Sequence, residues 1–543
     1  MNRTHELIDE LKATCAAKGL GNDGNEYKVI TQVFQYKFLN DKFLKEMRGL
    51  LRVPEGESVY DALMVLPDDV YARHLRCLPS GIAKFQKNQL IPSLHNQQNV
   101  PGFDTLFDQT LSDIAAQNAA IFAVKTASNE TVQMFDQSLS GYIEQTSERA
   151  NFCRSIISKL SLYSFEDVVG RGYDFFSEIY EYLIKDYNSD SGGKYAEYFT
   201  PHSVGRVMAE ILVDGEPKSV TCYDPSAGSG TLLMCLADRI GAKRCTIYSQ
   251  DISQKSSGLL RLNLVLNDLA KSLQHVVQGN TLTNPAFKSP QGGLMQFDYI
   301  VSNPPFNLDF SDFHGLLTSK ERKNIYFAGV PAIPDKDKNS MAIYQCFIQH
   351  VIASLSNKGK AAIVVPSGFL NASGKGKKEK LEERIRRRLV EEKWLRGVVS
   401  MPSNIFGKTN TSVSVLVIDK EGSEARNSAV FIDATQLGED KKVDGKKRHV
   451  LSHDDNQRII KAFKKAVSVP SFVAVPSYDE IANTKYSFAP GQYIEVTHEY
   501  EAISHADFVA TLDAFSSQFE RLCSEGTELS ENIKKQIGRL RYE

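Results

Sequence analysis

Four consecutive residues, Asn303, Pro304, Pro305 and Phe306, combine groups that could hold and cover a planar amine. Each proline fixes φ and removes a backbone donor, so the local carbonyl oxygens remain as acceptors. Asn303 adds a side-chain carbonyl oxygen, and Phe306 adds an aromatic face. Because paired acceptors and an aromatic surface stand side by side, this tetrad predicts a site for an amino group on a flat ring.

The amino group of adenine fits this prediction, and it is a poor nucleophile because its lone pair is delocalised into the ring. The Asn303 side-chain oxygen and the Pro304 carbonyl can hold its two hydrogens and favour a pyramidal nitrogen facing a methyl donor. Phe306 can stack on an extruded base, worth about 1–3 kcal/mol against an extrusion cost of a few kcal/mol. The tetrad therefore predicts methyl transfer by positioning and charge complementarity, although in isolation it could also be a rigid turn.

A glycine-rich loop, residues 224–230 (DPSAGSG), stands between a predicted strand at 219–223 and a helix-like stretch at 231–239. Such a loop lets the backbone approach a ligand and presents free amides at a helix N-terminus. Leu233 replaces the third glycine of a dinucleotide fingerprint, which disfavours a pyrophosphate ligand. The acidic Asp224 instead favours a cationic or amine-bearing ligand, with a tight capped turn as the alternative.

Asp251 ends the next predicted strand after the glycine-rich loop. In dinucleotide-binding folds an acidic side chain at this place accepts hydrogen bonds from ribose hydroxyls. Its presence makes a nucleoside-containing cofactor the preferred interpretation of the loop.

These residues require a sheet that brings several strand ends together. Short apolar runs rich in Val, Ile and Tyr alternate with segments long enough for crossover helices. The runs are residues 219–223, 245–248, 297–301, 361–365, 395–401 and 412–418. This alternation predicts an α/β fold with a doubly wound, largely parallel sheet, whose ligands lie at the carboxyl ends of the strands.

The flanking regions read differently. Residues 1–165 are predicted to be helical, with Ile30, Val33, Phe34 and Phe38 on one helical face and no strand-like alternation over 111–162. Residues 426–500 are mixed and weakly patterned, and 501–543 form a helical tail. Its apolar seam runs through Phe508, Leu512, Phe515, Phe519 and Leu522, is interrupted by Gly526, and suits either a partner helix or the chain's own domain. These boundaries leave residues 166–425 as the central domain.

Composition narrows the class of protein. Hydrophobic content of 42% and charged content of 24% exclude a disordered or fibrous chain. The net charge is -2, whereas a protein that binds DNA on its own usually has an excess of basic residues. A partner is therefore expected to contribute much of the DNA-binding affinity. The eight cysteines form no CxxC pair, which predicts reduced thiols, a cytoplasmic location and no metal site. No apolar run is long enough to suggest a membrane span.

The ordered set of motifs resembles the modification (methylation) subunit of type I restriction-modification systems, an N6-adenine DNA methyltransferase family. The resemblance covers roughly residues 165 to 420. The segments that carry it are 173–183, 197–201 (EYFTP), 224–230, 248–251 (YSQD), 279–282 (GNTL), 303–306, 359–370 and 398–406. Asn280 stands where many relatives have aspartate, and Asp251 where glutamate is more usual.

The resemblance implies a Rossmann-like methyltransferase sheet with S-adenosyl-L-methionine as cofactor. It makes Asn303, Pro304, Pro305 and Phe306 the catalytic residues. The residues it assigns to cofactor binding are Glu197, Tyr198, Phe199, Thr200, Pro201, Asp224, Pro225, Ala227, Gly228, Ser229, Gly230, Thr231, Asp251 and Asn280. The implied partners are duplex DNA, a specificity (target-recognition) subunit, a second copy of the chain and a restriction nuclease subunit, with the helical flanks as docking elements.

Two alternatives stay open at this point. RNA and protein-glutamine methyltransferases share the tetrad, so either substrate class could replace DNA. A non-catalytic scaffold subunit is the second alternative, although the intact loop and tetrad count against it. The basic run at 375–393 is interpreted as a solvated helix that covers the sheet through Leu381, Ile385 and Leu389, rather than as a phosphate site.

Overall fold

The computed structural model describes residues 2–21, 24–79, 81–126, 131–133, 138–165, 200–374, 379–406, 412–443, 446–495 and 504–538. The chain forms two units, residues 1–494 and 495–543, and each is described by itself.

The first unit is organised around one large sheet. The strands are β1 (Ala123–Thr126), β2 (Thr131–Gln133), β3 (Val220–Asp224), β4 (Cys245–Asp251), β5 (Val276–Gln278), β6 (Phe297–Ser302), β7 (Leu355–Pro366), β8 (Leu395–Ser400), β9 (Val413–Asp419), β10 (Val430–Asp433), β11 (Glu439–Val443), β12 (Lys446–Val450) and β13 (Val473–Ala474). Eleven of them pair in the order β13-β10-β8-β9-β7-β6-β3-β4-β5-β1-β2. Only β2, β9 and β13 run antiparallel to their neighbours in this sheet, so the predicted largely parallel sheet is confirmed.

The six predicted strands are all present, as β3, β4, β6, β7, β8 and β9. Their apolar runs arise because strands in the middle of a covered sheet are buried on both faces. In β9, between β7 and β8, every residue is buried. β5, β10 and β13 were not predicted, because runs of two to four residues give no periodic signal.

Helices cover the sheet and build the N-terminal region. Among the described residues of the first unit, the helices are α1 (Asn2–Ala16), α2 (Gly24–Leu51), α3 (Val59–Met64), α4 (Asp68–Cys77), α5 (Ile91–Asn96), α6 (Phe103–Gln117), α7 (Ala119–Phe122), α8 (Thr146–Leu162), α9 (His202–Leu212), α10 (Thr231–Ile240), α11 (Gln254–Leu266), α12 (His314–Leu317), α13 (Tyr344–Ser354), α14 (Leu381–Glu391), α15 (His453–Lys465) and α16 (Tyr478–Asn483). The predicted apolar face of α2 is buried at all four of its positions.

The N-terminal region is not purely helical, which corrects the prediction for residues 111–162. β1 and β2 form a short hairpin whose first strand pairs with β5, through Lys125 opposite Val277. Side chains reinforce this junction, because Arg261 of α11 donates to the Ile121 carbonyl at 3.0 Å. The strands draw their hydrogen bonds from the central sheet, so their own sequence carries little pattern.

The basic run contains a helix that covers the sheet, as predicted, but one of its residues differs from the prediction. Ile385 and Leu389 of α14 are fully buried, as the stripe predicted. Arg386 in the same run is also fully buried, although it was expected to be solvated. Its guanidinium donates to the carbonyls of Phe369, Tyr486 and Ala372 and is therefore a structural cross-link.

The second unit contains one long helix, α17 (His505–Ile537), with Ser504 as its N-cap. The predicted helical tail is thus present. The helix continues through Gly526, where an interruption of the seam was expected, because one glycine costs a helix only about 1 kcal/mol. Phe515 and Phe519 on the seam are 66% and 68% exposed.

Candidate active site

Two neighbouring strands carry the glycine-rich loop and the tetrad to one place. β3 and β6 are parallel and adjacent, with Cys222 opposite Tyr299. Their following loops touch, since the hydroxyl oxygens of Ser226 and Ser302 lie 2.7 Å apart. The structure therefore brings residues 224–230 and 303–306 together at the carboxyl edge of the sheet.

Positive φ angles shape the glycine-rich loop. Gly228 has φ +52° and Gly230 has φ +89°, where only glycine is free of strain. Gly230 also lies against α11, because a Cβ at this position would be 2.1 Å from Cδ1 of Leu260. The loop thus turns tightly into α10, which begins at Thr231.

Asp251 holds the loop from the neighbouring strand β4. One carboxylate oxygen accepts from the amide of Gly228 at 2.8 Å, and the other accepts from the amide of Ser253 at 2.8 Å. Asp251 therefore shapes the loop, and its ribose-binding role stays a prediction.

Two other side chains brace the loop, and a third braces residues 284–286; none of these contacts was predicted. Thr281 donates to the Pro225 carbonyl at 2.6 Å, and Asn263 of α11 donates to the Ser229 carbonyl at 2.9 Å. The side-chain amide of Gln250 is fully buried between the Ala286 amide and the Asn284 carbonyl. A single polar residue has no local signature of this role.

Asp224 is a buried carboxyl group at the end of β3. It is 2% exposed and accepts from the Ser226 amide at 2.9 Å. Burial raises the pKa of Asp224 to about 7, and the charge of Asp251 adds to the rise, against hydrogen bonds from Ser226 and Ser302 that lower the pKa. A cation bound beside Asp224 would stabilise its ionised form.

We expect Asp224 to make the ligand-free chain less stable as pH rises. Its folded pKa of about 7 lies above the unfolded value of about 3.9, so the folded state binds the proton more tightly. The resulting stabilisation is complete below pH ~4 and is lost between pH ~4 and ~7, by about 4 kcal/mol at most. Asp224→Asn, which mimics the neutral acid, should therefore gain thermal stability relative to the parent at pH 8 but not at pH 4. Parallel pH profiles of the two melting temperatures would contradict this expectation.

The tetrad begins with an oriented amide. Asn303 donates from Nδ2 to the hydroxyl oxygen of Thr200 at 2.9 Å, and Thr200 is buried. The hydrogen bond leaves Oδ1 of Asn303 as the acceptor on the other side of the amide. Thr200 was predicted as a cofactor residue, and the structure places it against the tetrad; its cofactor role stays a prediction.

Phe306 sits at the junction of two hydrophobic cores and is partly buried. Its ring meets Tyr344 edge to face, with centroids 6.3 Å apart and planes at 74°. This packing fixes the ring orientation, which a stacking surface for a base requires. The role of Tyr344, the first residue of α13, was not predicted.

The other predicted site residues are placed as follows. Pro201 is the N-cap residue of α9, while Glu197, Tyr198 and Phe199 lie outside the described residues. Asn280 follows β5, and its side-chain oxygen accepts from the amides of Leu282 and Thr283. That acceptor is used within its own turn.

The residues present fit a sulfonium nucleoside such as S-adenosyl-L-methionine. Burial and the nearby charge of Asp251 raise the pKa of Asp224, which disfavours its ionised form. A positively charged ligand beside Asp224 would favour that ionised form. The glycine loop leaves open space beside Gly228, where a Cβ would meet no atom within 4 Å. Within the residues that the structure describes, no cluster of His, Cys, Asp and Glu could hold a metal ion. No described helix has both the length and the apolar character needed to cross a membrane.

The doubly wound sheet, the glycine loop and the tetrad of residues 303–306 together define the class of Rossmann-like methyltransferases. Residues 171–502 match the N-6 DNA Methylase family, and the chain belongs to that family. The predicted class of enzyme, an adenine-N6 DNA methyltransferase, is thereby confirmed.

Relatives agree with the predicted resemblance to type I modification subunits. The chain is 24% identical over 395 residues to the type I restriction enzyme MpnII methylase subunit of Mycoplasma pneumoniae, which covers 71% of this chain and 69% of that protein. It is 27% identical over 405 residues to the MjaVIII methylase subunit of Methanocaldococcus jannaschii, with 72% and 67% covered.

A solved structure supports the fold. The type I restriction-modification system methyltransferase subunit from Streptococcus thermophilus is similar with a TM-score of 0.70 at 22% identity. The similarity covers 91% of this chain and 100% of that chain. The predicted fold class is confirmed.

Proposed function

We propose that the chain transfers a methyl group from S-adenosyl-L-methionine to N6 of an adenine flipped out of duplex DNA, as the modification subunit of a type I restriction-modification complex. When bound, the cofactor supplies an electrophilic methyl group on a sulfonium. The observation that carries the proposal is the contact between Ser226 and Ser302, because it joins the cofactor loop to the tetrad.

The chain's own residues would orient the amine. Oδ1 of Asn303 and the carbonyl of Pro304 accept the two amine hydrogens and stabilise positive charge as it develops on nitrogen. Phe306 stacks on the flipped base. Asp224, the loop 225–231 and Asp251 hold the cofactor, and the segment 197–201 covers its methionine end.

A labelled-methyl assay tests this function. The full-length chain, alone and with a co-expressed specificity subunit, is offered duplex DNA, RNA and protein, and the DNA is then digested to nucleosides. We expect label only in DNA, as N6-methyl-2′-deoxyadenosine. Label in RNA or protein would overturn the substrate, and failure to bind cofactor in calorimetry would favour a scaffold.

Thr200 gives a sharper expectation about the tetrad. Thr200→Val keeps the side-chain volume but removes the acceptor for Asn303 Nδ2, so the amide loses its fixed orientation. We expect kcat to fall roughly 10- to 100-fold with cofactor affinity unchanged. Thr200→Ser, which keeps the hydroxyl, should be close to the parent. A loss of cofactor affinity without a fall in kcat would contradict this expectation and favour the cofactor role predicted for Thr200 from sequence.

The assembly is part of the same proposal. Residues 166–425 act as the methyltransferase domain, 1–165 as a helical domain for partner and DNA contacts, 426–500 as an extension and 501–543 as the docking tail. An amphipathic helix as long as α17 is suited to pairing with helices of a specificity subunit. A second copy of the chain and a restriction nuclease subunit complete the proposed cytoplasmic complex.

A further inference from the structure

A cavity of about 230 Å³ lies toward the amino ends of the parallel strands, away from the tetrad. It is lined by the start of β8, the end of β9, Lys360 of β7, and the helices α9 and α15, which pack on each other. The strand register fixes its position, because Leu395 of β8 lies opposite Ile418, and Lys360 lies opposite Asp419, the last residue of β9. β8 has the same direction as β6, whose carboxyl end leads into the tetrad. The cavity is therefore separate from the tetrad and the glycine-rich loop.

Charged side chains make up half of the residues that line this cavity. They are Asp214, Lys360, Arg396, Asp419 and Lys464. The two carboxylates already have cations beside them. Nζ of Lys360 lies 3.0 Å from a carboxylate oxygen of Asp214, and Nη2 of Arg426 lies 2.9 Å from one of Asp419. Both carboxylates are thus largely neutralised before a ligand enters.

The guanidinium of Arg396 is held by a ring, while its N–H groups remain unused. Its Cζ lies over the Phe463 ring, 5.2 Å from the centroid. The ring is fixed, because Phe463 is buried and lies against Gly397, where a Cβ would be 2.8 Å from the ring Cε2. Within the part of the chain that the structure describes, the guanidinium donates no hydrogen bond and has no carboxylate at ion-pair distance. It therefore presents a planar fork of donors that matches a carboxylate.

The positive charge of Arg396 is poorly compensated where it lies. Burial lowers the pKa of Arg396, and the charge of Arg426 lowers it further, against the more distant charges of Asp419 and Asp214. An anion beside the guanidinium would counteract this lowering. A monoanion balances the one unpaired charge, whereas a phosphate group carries about −1.5 to −2 at neutral pH and would repel both carboxylates.

The size of the cavity and the rest of its lining favour a compact organic acid. Its volume of about 230 Å³ corresponds to roughly eight water molecules at about 30 Å³ each. Pockets for drug-sized ligands begin at about 300 Å³, so the ligand must be smaller. The uncharged lining residues are all apolar and would cover a short hydrocarbon chain. They are Ile211, Leu212, Val417, Ile418 and Phe463.

We propose that this cavity binds a small monocarboxylic acid, with its carboxylate on Arg396 and its apolar chain against Phe463 and Ile211. Lys464 is a second donor for the same carboxylate, because its distance of 3.9 Å from Glu210 is too long for a hydrogen bond. The inference is independent of the proposed function, since all the lining residues lie outside 224–230 and 303–306.

Ligand-observed NMR on the full-length chain tests the inference with butyrate as the probe. Saturation-transfer titrations give the Kd of butyrate and of its neutral amide, butyramide, and inorganic phosphate is added as a competitor. Arg396→Met removes the charge and keeps the apolar stem, whereas Arg396→Lys keeps the charge but loses the planar fork. Arg76→Met, at an exposed arginine of α4, is the matched control. Each titration is repeated with excess S-adenosylhomocysteine, which would occupy the cofactor pocket.

We expect butyrate to bind the parent and Arg76→Met equally, with a Kd of about 1 mM, as a ligand of this size allows. Arg396→Met should bind it roughly 10- to 100-fold more weakly, the usual cost of a lost charged hydrogen bond, with Arg396→Lys in between. Butyramide should bind the parent at least ~10-fold more weakly than butyrate. Neither phosphate nor S-adenosylhomocysteine should displace butyrate.

An absence of butyrate binding by the parent, or an unchanged Kd in Arg396→Met, would overturn the inference. Displacement of butyrate by phosphate would overturn the class of ligand, and displacement by S-adenosylhomocysteine would overturn the site. Should Arg396→Met fail to fold, a parental Kd in Arg396→Lys is the overturning result.

Discussion

Asn303→Ala should reduce kcat for methyl transfer by at least about 10²- to 10³-fold, which is the usual cost of removing one preorganised polar group at a reacting centre. The variant loses the Oδ1 acceptor that Thr200 orients, so the amine keeps only the Pro304 carbonyl. The fold should tolerate the change, because Asn303 is only partly buried and follows the end of β6. Single-turnover kinetics measure the chemical step, and calorimetry measures cofactor affinity, which should not change.

Asn307→Ala is the matched control, since Asn307 is exposed and four residues further along. It should leave the single-turnover rate at the parental value. A parental rate in Asn303→Ala, or an equal loss in both variants, would remove the tetrad from the mechanism.

Gly230→Ala should have the second largest effect, on both stability and cofactor binding. An alanine at φ +89° is strained, and its Cβ would be 2.1 Å from Cδ1 of the buried Leu260. Left-handed strain and overpacking together should lower the free energy of unfolding by about 2–4 kcal/mol. Because the loop must shift away from α11, cofactor affinity should fall as well.

Gly228→Ala separates strain from collision. Its φ is +52°, and the added Cβ meets no atom within 4 Å. Denaturant unfolding should therefore show a loss of only about 1–2 kcal/mol. Equal destabilisation by the two variants would mean that the contact with Leu260 does not fix the loop.

The central strands could be predicted from sequence because burial on both faces leaves continuous apolar runs. β9 is the clearest example, with all its residues buried. β1 and β5 could not be predicted, since their four and three residues owe their conformation to each other and to β4. The hairpin of β1 and β2 was consequently placed in a helical region.

The site divides in the same way. Residues 224–230 and 303–306 can be recognised from sequence because glycine and proline each impose a known restriction or freedom on the local backbone. Thr200 and Ser302 act through contacts with residues far away in the chain, at Asn303 and Ser226. Such contacts depend on which strands are neighbours, and strand order cannot be derived from local patterns.

The central claim is that the loop after β3 and the tetrad after β6 form one pocket for a cofactor and a base. A crystal structure of the full-length chain with S-adenosylhomocysteine tests this most directly. We expect the ribose to bind Asp251, the nucleoside to lie along residues 224–230, and the sulfur to face Oδ1 of Asn303. A ligand bound elsewhere on the chain, or an Asn303 side chain turned away from the sulfur, would contradict the account.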